Sequence, residues 1–215
     1  MPLVLPFNDQ TCDTILPQVQ RMLAASGVIA IPTETSYGLA VRPTETEALR
    51  RLFEIKGRPS DKPILVLIGN HGQLDQLVAR IPPAAAVLMK QLWPGPLTIV
   101  FPAAADLPPL LTAGTGTVGI RLSPLPYLRR LLSETGPVTG TSANRSSEPS
   151  LNSAADVEQS LGSAVDMILD GGPTTGGPAS TIVDACDRPR LLRAGALSTD
   201  VIRAALSSQG YTLSL

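Results

Sequence analysis

The run Ile64, Leu65, Val66, Leu67, Ile68 constrains the fold more than any other stretch of this chain. A strand with one wetted face alternates apolar and polar side chains. A strand with no polar member must be covered on both faces, so this run predicts an interior strand of a sheet with other layers above and below it.

Around that run, strand-like and helix-like patterns alternate. Strands are predicted at Pro2 to Pro6, 28 to 32, Leu97 to Phe101, Thr117 to Leu122, Pro137 to Thr141, Met167 to Leu169, 181 to 185 and 190 to 193. Helices are predicted at Thr11 to Ser26, where Pro17 has to sit near the start, and from a capping box at Thr44 and Glu47 to Gly57. Further helices fall at 72 to 80, 83 to 92, 125 to 133, 154 to 161 with Ser153 as cap, and 200 to 208, with 102 to 113 as a loop. Alternation of this kind defines an α/β fold. The strands at 181 to 185 and 190 to 193 are joined too tightly for a crossover and must pair antiparallel, so the sheet is expected to be mixed.

At 215 residues, with no plausible interdomain linker or internal repeat, 1–215 reads as a single domain. A hydrophobic fraction of 43% with 16% charged residues fits a soluble globular chain, and 21 prolines with 18 glycines imply many sharp turns. The formal net charge of −1 gives no global field, so any polyanion must be held by a local basic patch. The N-terminus lacks a signal-peptide pattern, and no apolar run is long enough to span a bilayer, so a cytoplasmic protein without membrane contact is expected. Cys12 and Cys186 form no CxxC pair and suggest neither a disulfide framework nor a zinc site.

Several motifs fail on context. Gly114, Gly116 and Gly119 spell GxGxxG but run into a β-branched strand instead of opening a helix. His71, the only histidine, reads as a solvated turn residue, and Ser142 has no GxSxG elbow, so a serine triad is not supported. Acidic residues are scattered, and no protein metal site is expected. Trp93 in WPGP reads as a buried structural aromatic. Two polar loops stand out instead: Pro32 to Gly38 after the strand at 28 to 32, and Lys56, Gly57, Arg58, Pro59, Ser60, Asp61, Lys62 after a helix end. Three cations in seven residues suit a polyanionic ligand, although such a cluster commonly just caps a helix and faces water.

The segments IPTETSYGLA (31–40), KGRPSDKP (56–63), WPGPLT (93–98), GIRLS (119–123), TSAN (141–144), STIVD (180–184) and LLRAG (191–195) occur in this order over nearly the whole chain. In order and spacing they resemble the YrdC-like family, the L-threonylcarbamoyladenylate synthases, in its short single-domain form. The resemblance implies a twisted mixed parallel/antiparallel sheet flanked by helices around a concave basic cleft. It also implies synthesis of threonylcarbamoyl-AMP and pyrophosphate from L-threonine, bicarbonate or CO2, and ATP, with Mg2+ held mainly by phosphates. The product feeds t6A modification at position 37 of ANN-decoding tRNAs, so downstream t6A transferase proteins and tRNA are implied partners. Carried over by motif, Thr35, Arg121, Ser142 and Ser180 are the threonine set. Lys56, Arg58, Lys62, Thr117, Asn144, Ser150 and Arg193 are the nucleotide set, with Lys56 and Arg58 in the catalytic role. Leu67 is expected to wall the threonine methyl group. The alternative is an RNA-binding module of the same fold without synthase activity, which strong salt dependence of binding would reveal.

Overall fold

The computed structural model describes residues 1–215, and its elements follow the α/β alternation. In chain order they are β1 (Leu3–Pro6), α1 (Cys12–Ala24), β2 (Ile29–Pro32), β3 (Tyr37–Ala40), α2 (Thr46–Lys56), β4 (Val66–Ile68), α3 (Pro83–Leu92), β5 (Leu97–Pro102), α4 (Pro109–Thr112) and β6 (Thr117–Leu122). The chain continues through α5 (Pro126–Thr135), β7 (Val138–Thr139), β8 (Thr141–Ser142), α6 (Ala154–Leu161), β9 (Met167–Asp170), β10 (Thr181–Asp184), β11 (Arg190–Arg193) and α7 (Thr199–Ser207).

Hydrogen bonding divides the strands into two mixed sheets, ordered β1-β9-β2-β3-β8 and β11-β10-β5-β6-β4-β7. In the first, β1 and β2 run parallel to β9 while β3 pairs antiparallel with β2 and β8. In the second, β4 is parallel to β6 and antiparallel to β7, which places the ILVLI run inside a sheet as expected. The tight β10–β11 pair is antiparallel, and β10 is parallel to β5.

Strand periodicity sends alternate side chains to opposite faces, and here both faces are covered. Ile29, Ile31, Ala40, Leu67, Met167 and Leu169 point into a core closed by α1 and α5, through Ile15, Val19, Leu23, Leu128, Leu131 and Leu132. Their neighbours Ala30, Leu39, Val66, Ile68 and Ile168 point the other way, into a larger core closed by Leu49 and Leu52 of α2, Leu88 of α3, Val157 of α6 and Ile202 of α7.

Several elements differ from expectation. The polar turn after residue 32 is shorter than its composition suggests, because Tyr37 to Ala40 forms β3 and returns along β2. The segment Pro137 to Thr141 is two strands, β7 in one sheet and β8 in the other, with Gly140 between them. A Cβ on Gly140 would lie 2.7 Å from Leu67 Cγ and 2.8 Å from Leu65 Cδ1, so the backbone can pass from sheet to sheet there only without a side chain. The Thr44–Glu47 capping box does not form: α2 starts at Thr46 after Glu45, with no side-chain cap bond. The stretch at 72 to 80 is a 3-10 turn over His71–Gln76, and α4 lies within the expected loop 102 to 113. Pro17 sits inside α1, not at its start. Ser153 does cap α6, its hydroxyl accepting from Asp156 N at 3.1 Å, and left-handed Gly57 closes α2.

His71 is an exposed turn residue whose ring stacks on Trp93 at 6.0 Å. Trp93 is buried, its indole N–H donating to Leu97 O at 2.8 Å. Both cysteines are free. No helix is long and apolar enough to cross a membrane.

Candidate functional site

A cavity of about 220 Å3 opens where the two sheets meet. The β2–β3 turn supplies Thr33, Thr35 and Ser36, β6 supplies Arg121, and the crossing segment supplies Gly140, Thr141 and Ser142. Arg58, Leu65, Ser150, Gly177, Ser180, Ile182 and Arg193 complete most of the wall. Hydroxyls and guanidinium groups dominate it.

Arg121 is the most deeply set of these cations. Its side chain is 4% exposed, and Nε lies 3.2 Å from Glu34 Oε1. Neither atom has a hydrogen-bonding partner, so the pair attracts coulombically without a directional bond. The second oxygen of Glu34 accepts from Ser123 Oγ at 2.8 Å, which pins the carboxylate. The two Nη atoms of Arg121, on a side chain that lines the cavity, have no protein partner; a carboxylate arriving there could take both in a bidentate contact.

Arg58 and Arg193 are each anchored on backbone carbonyls. Arg58 donates from Nε to Lys62 O at 3.2 Å and from Nη2 to Pro63 O at 2.9 Å. Arg193 donates from Nε and Nη2 to Ser180 O at 3.1 and 2.8 Å, and from Nη2 to Ser180 Oγ at 3.2 Å. In both, Nη1 remains free. Burial lowers the pKa of Arg193, and repulsion from Arg121 and then Arg58 lowers it further, so Arg193 feels both of the other guanidinium groups. Arg121 is balanced by Glu34 and Arg58 has Asp61 nearby, while no carboxylate offsets Arg193, so the wall keeps an excess of positive charge in a protein of net charge −1.

The hydroxyl of Thr33 has a single proton and lies 2.7 Å from Ser36 O, which can only accept. At the 3.0 Å contact between Thr33 Oγ1 and Thr35 Oγ1, Thr35 is therefore the donor, and its lone pairs are left for a donor on a ligand. Ser180 Oγ accepts from Arg193 and contacts buried Thr98 Oγ1 at 2.8 Å. Ser142 Oγ makes no hydrogen bond within the protein. The glycine-rich segment 171–180 supplies Gly177, Ala179 and Ser180 to the wall and is tied to its surroundings: Thr175 Oγ1 donates to Glu34 O at 3.0 Å, and Thr174 N donates to Asn152 O at 2.8 Å.

Of the residues singled out in the sequence, the structure gathers Thr35, Arg58, Arg121, Ser142, Ser150, Ser180 and Arg193 around this cavity. Four others are not in its wall. The Lys56 ammonium is 2.6 Å from Ser142 O and 2.7 Å from Asn144 O. Burial and, secondarily, Arg58 bring its pKa down to about 8. Asn144 spends its own amide on Arg145 O and Glu148 O at 2.9 and 2.6 Å. Lys62 is exposed, and Thr117, at the start of β6, bonds Thr115 Oγ1 at 2.9 Å. Leu67 is fully buried in the α1/α5 core, and Leu65 takes the place expected of it in the wall. Sequence reading gave no role to Thr33, whose partners Thr35 and Ser36 are its chain neighbours, nor to Glu34 and Thr98, whose partners Arg121, Ser123 and Ser180 lie far along the chain. No group of three His, Cys, Asp or Glu side chains could hold a metal ion.

Fold and site together define an α/β protein with a cation-lined cleft between two mixed sheets. The chain belongs to the Sua5/YciO/YrdC family, whose model, described as "Telomere recombination", matches residues 21–195. It is 40% identical over 199 residues to the threonylcarbamoyl-AMP synthase of Bacillus subtilis, covering 91% of this chain and 58% of that protein. Against the synthase of Pyrococcus abyssi it is 40% identical over 178 residues, covering 81% of this chain and 52% of the other. The chain thus spans little more than half the length of these two relatives. Among solved structures, P. abyssi Sua5 complexed with L-threonine superimposes with a TM-score of 0.86 at 32% identity, covering 99% of this chain and 62% of that one.

Proposed function

We propose that the chain makes threonylcarbamoyl-AMP and pyrophosphate from L-threonine, bicarbonate or CO2, and MgATP. The observation that carries this reading is the convergence of Arg58, Arg121 and Arg193 on one cavity in which the Arg121 Nη atoms have no protein partner. The family membership and the synthase names of its relatives support it. In this reading the threonine carboxylate pairs with Arg121, and Thr35, Ser142 and Ser180 take the amine and hydroxyl. At about 220 Å3 the cavity is smaller than the ~300–1,000 Å3 usual for drug-sized ligands, so ATP presents its phosphates at the mouth, beside Arg58 and Arg193.

The chemistry has two steps. The threonine amine adds to the carbon of CO2 and loses a proton, giving a carbamate. A carbamate oxygen then attacks the α-phosphorus as the bond to the bridging oxygen of pyrophosphate breaks. Neither step needs a side-chain nucleophile. Both need in-line placement and neutralised phosphate charge, and Arg58 and Arg193 supply donors in fixed positions. Mg2+ arrives on the ATP phosphates as part of the substrate, in keeping with the lack of a protein carboxylate cluster. The product is an activated carbamoyl donor for t6A formation on tRNA by separate transferase proteins, and the reaction is cytoplasmic.

Pyrophosphate release that requires both threonine and bicarbonate tests the reading. Arg58→Ala is expected to lower turnover on the order of 10²-fold with the fold intact, as for loss of a transition-state phosphate contact. No release by the unaltered protein would overturn the assignment, and full turnover in Arg58→Ala would remove that residue from the site.

A further inference from the structure

Lys56 belongs to the basic cluster that first marks this chain as a polyanion binder, yet its surroundings differ from those of its neighbours. It is the last residue of α2 and is 3% exposed. Its ammonium has three N–H donors and no acceptor. Three acceptors surround it: Ser142 O at 2.6 Å, Asn144 O at 2.7 Å and Asn144 Oδ1 at 3.4 Å. The contact is reciprocal in the backbone, because Ser146 N donates to Lys56 O at 2.7 Å. The turn from Ser142 to Ser146 is thus wrapped around the C-terminal end of α2 and fastened to it by main chain and side chain together. Arg58 and Arg193, in contrast, line the cavity and keep Nη1 free.

The turn continues β8, which pairs with β3 through Ser142 opposite Gly38. Beyond it, Ala143 N donates to Tyr37 O at 2.7 Å. Ser142 O, the acceptor of the shortest Lys56 bond, also takes Asn144 N at 2.9 Å. Any movement of the ammonium would therefore move the Ser142 backbone and with it the hydroxyl that faces the cavity.

We infer that Lys56 is a positioning residue: its ammonium fastens the Ser142–Asn144 turn to the end of α2 and so sets the Ser142 hydroxyl in the cavity wall, leaving phosphate neutralisation to Arg58 and Arg193. The fastening stands on geometry alone; only the division of labour over phosphate rests on the function proposed above. A lysine that clamps phosphate must point a donor at the ligand, and here every donor is committed to a carbonyl oxygen of one turn.

Amide hydrogen exchange in the ligand-free protein tests the fastening without reference to any substrate. In Lys56→Met, exchange at Ala143, Asn144 and Ser146 is expected to accelerate at least tenfold while the β5–β6 amides keep their protection. Arg58→Ala should leave that turn unchanged. If Lys56→Met does not fold, the unaltered protein still decides the matter by lysine-selective 15N NMR. The expected result is a slowly exchanging Lys56 NζH3 signal that stays in place when ATP or inorganic triphosphate is added. A signal lost to rapid solvent exchange, one that shifts on adding triphosphate, or unchanged turn protection in a folded Lys56→Met would overturn the inference. In the pyrophosphate assay, Lys56→Met should raise KM for threonine more than KM for ATP, whereas a phosphate clamp would give the reverse split. Should the unaltered protein release no pyrophosphate, the synthase reading fails, and the exchange and NMR results still judge Lys56.

Discussion

Glu34 and Lys56 illustrate two ways in which a buried charge is held beside this cleft. Glu34 balances Arg121 across 3.2 Å, on side chains only 10% and 4% exposed. Removing one member of such a pair leaves the other uncompensated, which is more costly than never having buried either. Glu34→Gln is therefore expected to destabilise the protein by about 2–3 kcal/mol in urea denaturation at neutral pH, with added threonine recovering part of the loss by supplying a new anion to Arg121. Lys56 has no carboxylate partner at all, and burial, reinforced by Arg58, lowers its pKa from 10.5 to about 8. Between these values the unfolded chain holds a proton that the native protein has released. Stability from this group therefore rises with pH from about 8 to 10.5, by up to on the order of 3 kcal/mol, and the full cost of the buried charge applies below that window. Cys186 and Tyr37, both raised to about 12 chiefly by burial, act in the opposite sense, because the native protein keeps protons that the unfolded chain loses. The difference between the unaltered protein and Lys56→Met isolates the lysine: urea midpoints at pH 7.5 and 9.5 should diverge in the direction given. Equal pH dependence in the two would mean that the ammonium is solvated.

Among the elements, the crossing from β7 to β8 carries the most consequence for its length. Gly140 N donates to Leu65 O at 2.9 Å in one sheet, while Thr139 N and Oγ1 donate to Val41 O and Leu39 O at 2.9 and 3.3 Å in the other. Gly140→Ala would force a methyl group against Leu65 and Leu67 at under 3 Å, and an overpacked site of this kind costs typically 1–3 kcal/mol. The expected result is a loss of that size in a thermal or urea melt, with weaker threonine binding because Ser142 lies two residues on. A variant as stable as the parent would show that the sheets part easily there. This crossing was also the hardest element to read. From residues 137 to 141 the sequence shows one apolar-to-polar stretch, and nothing local marks the change of sheet except the glycine itself. β3 was hidden for a related reason: Tyr37, Gly38, Leu39 and Ala40 are buried on both faces, so the strand has no alternation and merges with the polar turn before it. The helices α5, α6 and α7 were legible because each is amphipathic over several turns. The four-residue α4 is too short to show a period. The site residues of the cleft were legible through the resemblance of their segments to the YrdC-like motifs, not through any local periodicity or spacing. Glu34 was not, since the residues that define its role, Arg121 and Ser123, lie far along the chain on another sheet.

At the scale of the whole molecule, the cleft exists because two sheets present hydroxyls to the same volume from different directions. Ser142 lies in β8 and Thr35 in the β2–β3 turn of one sheet, and Arg121, Ser180 and Arg193 belong to or adjoin strands of the other. In the proposed reading Arg121 holds the carboxylate of the ligand while Thr35, Ser142 and Ser180 hold its amine and hydroxyl, an arrangement that would select for what the side chain carries. A pocket that hydrogen-bonds a substrate hydroxyl leaves buried polar groups unpaired when an analogue lacks it, and it rejects that analogue far more strongly than an apolar slot rejects a missing methyl. Valine has the shape of threonine without its hydroxyl and should be turned over on the order of 10²-fold less efficiently, or worse. Serine keeps the hydroxyl and lacks one methyl group, whose burial against Leu65 and Ile182 is worth roughly 0.8 kcal/mol, so a loss of about fourfold is expected. The measurement is pyrophosphate release at saturating MgATP and bicarbonate, with kcat/KM compared for the three amino acids. The order threonine, serine, valine, with the large step at the last, is what a hydroxyl-lined cleft requires. A large step at serine and a small one at valine would mean that apolar contact dominates, and that Thr35, Ser142 and Ser180 do not grip the side chain.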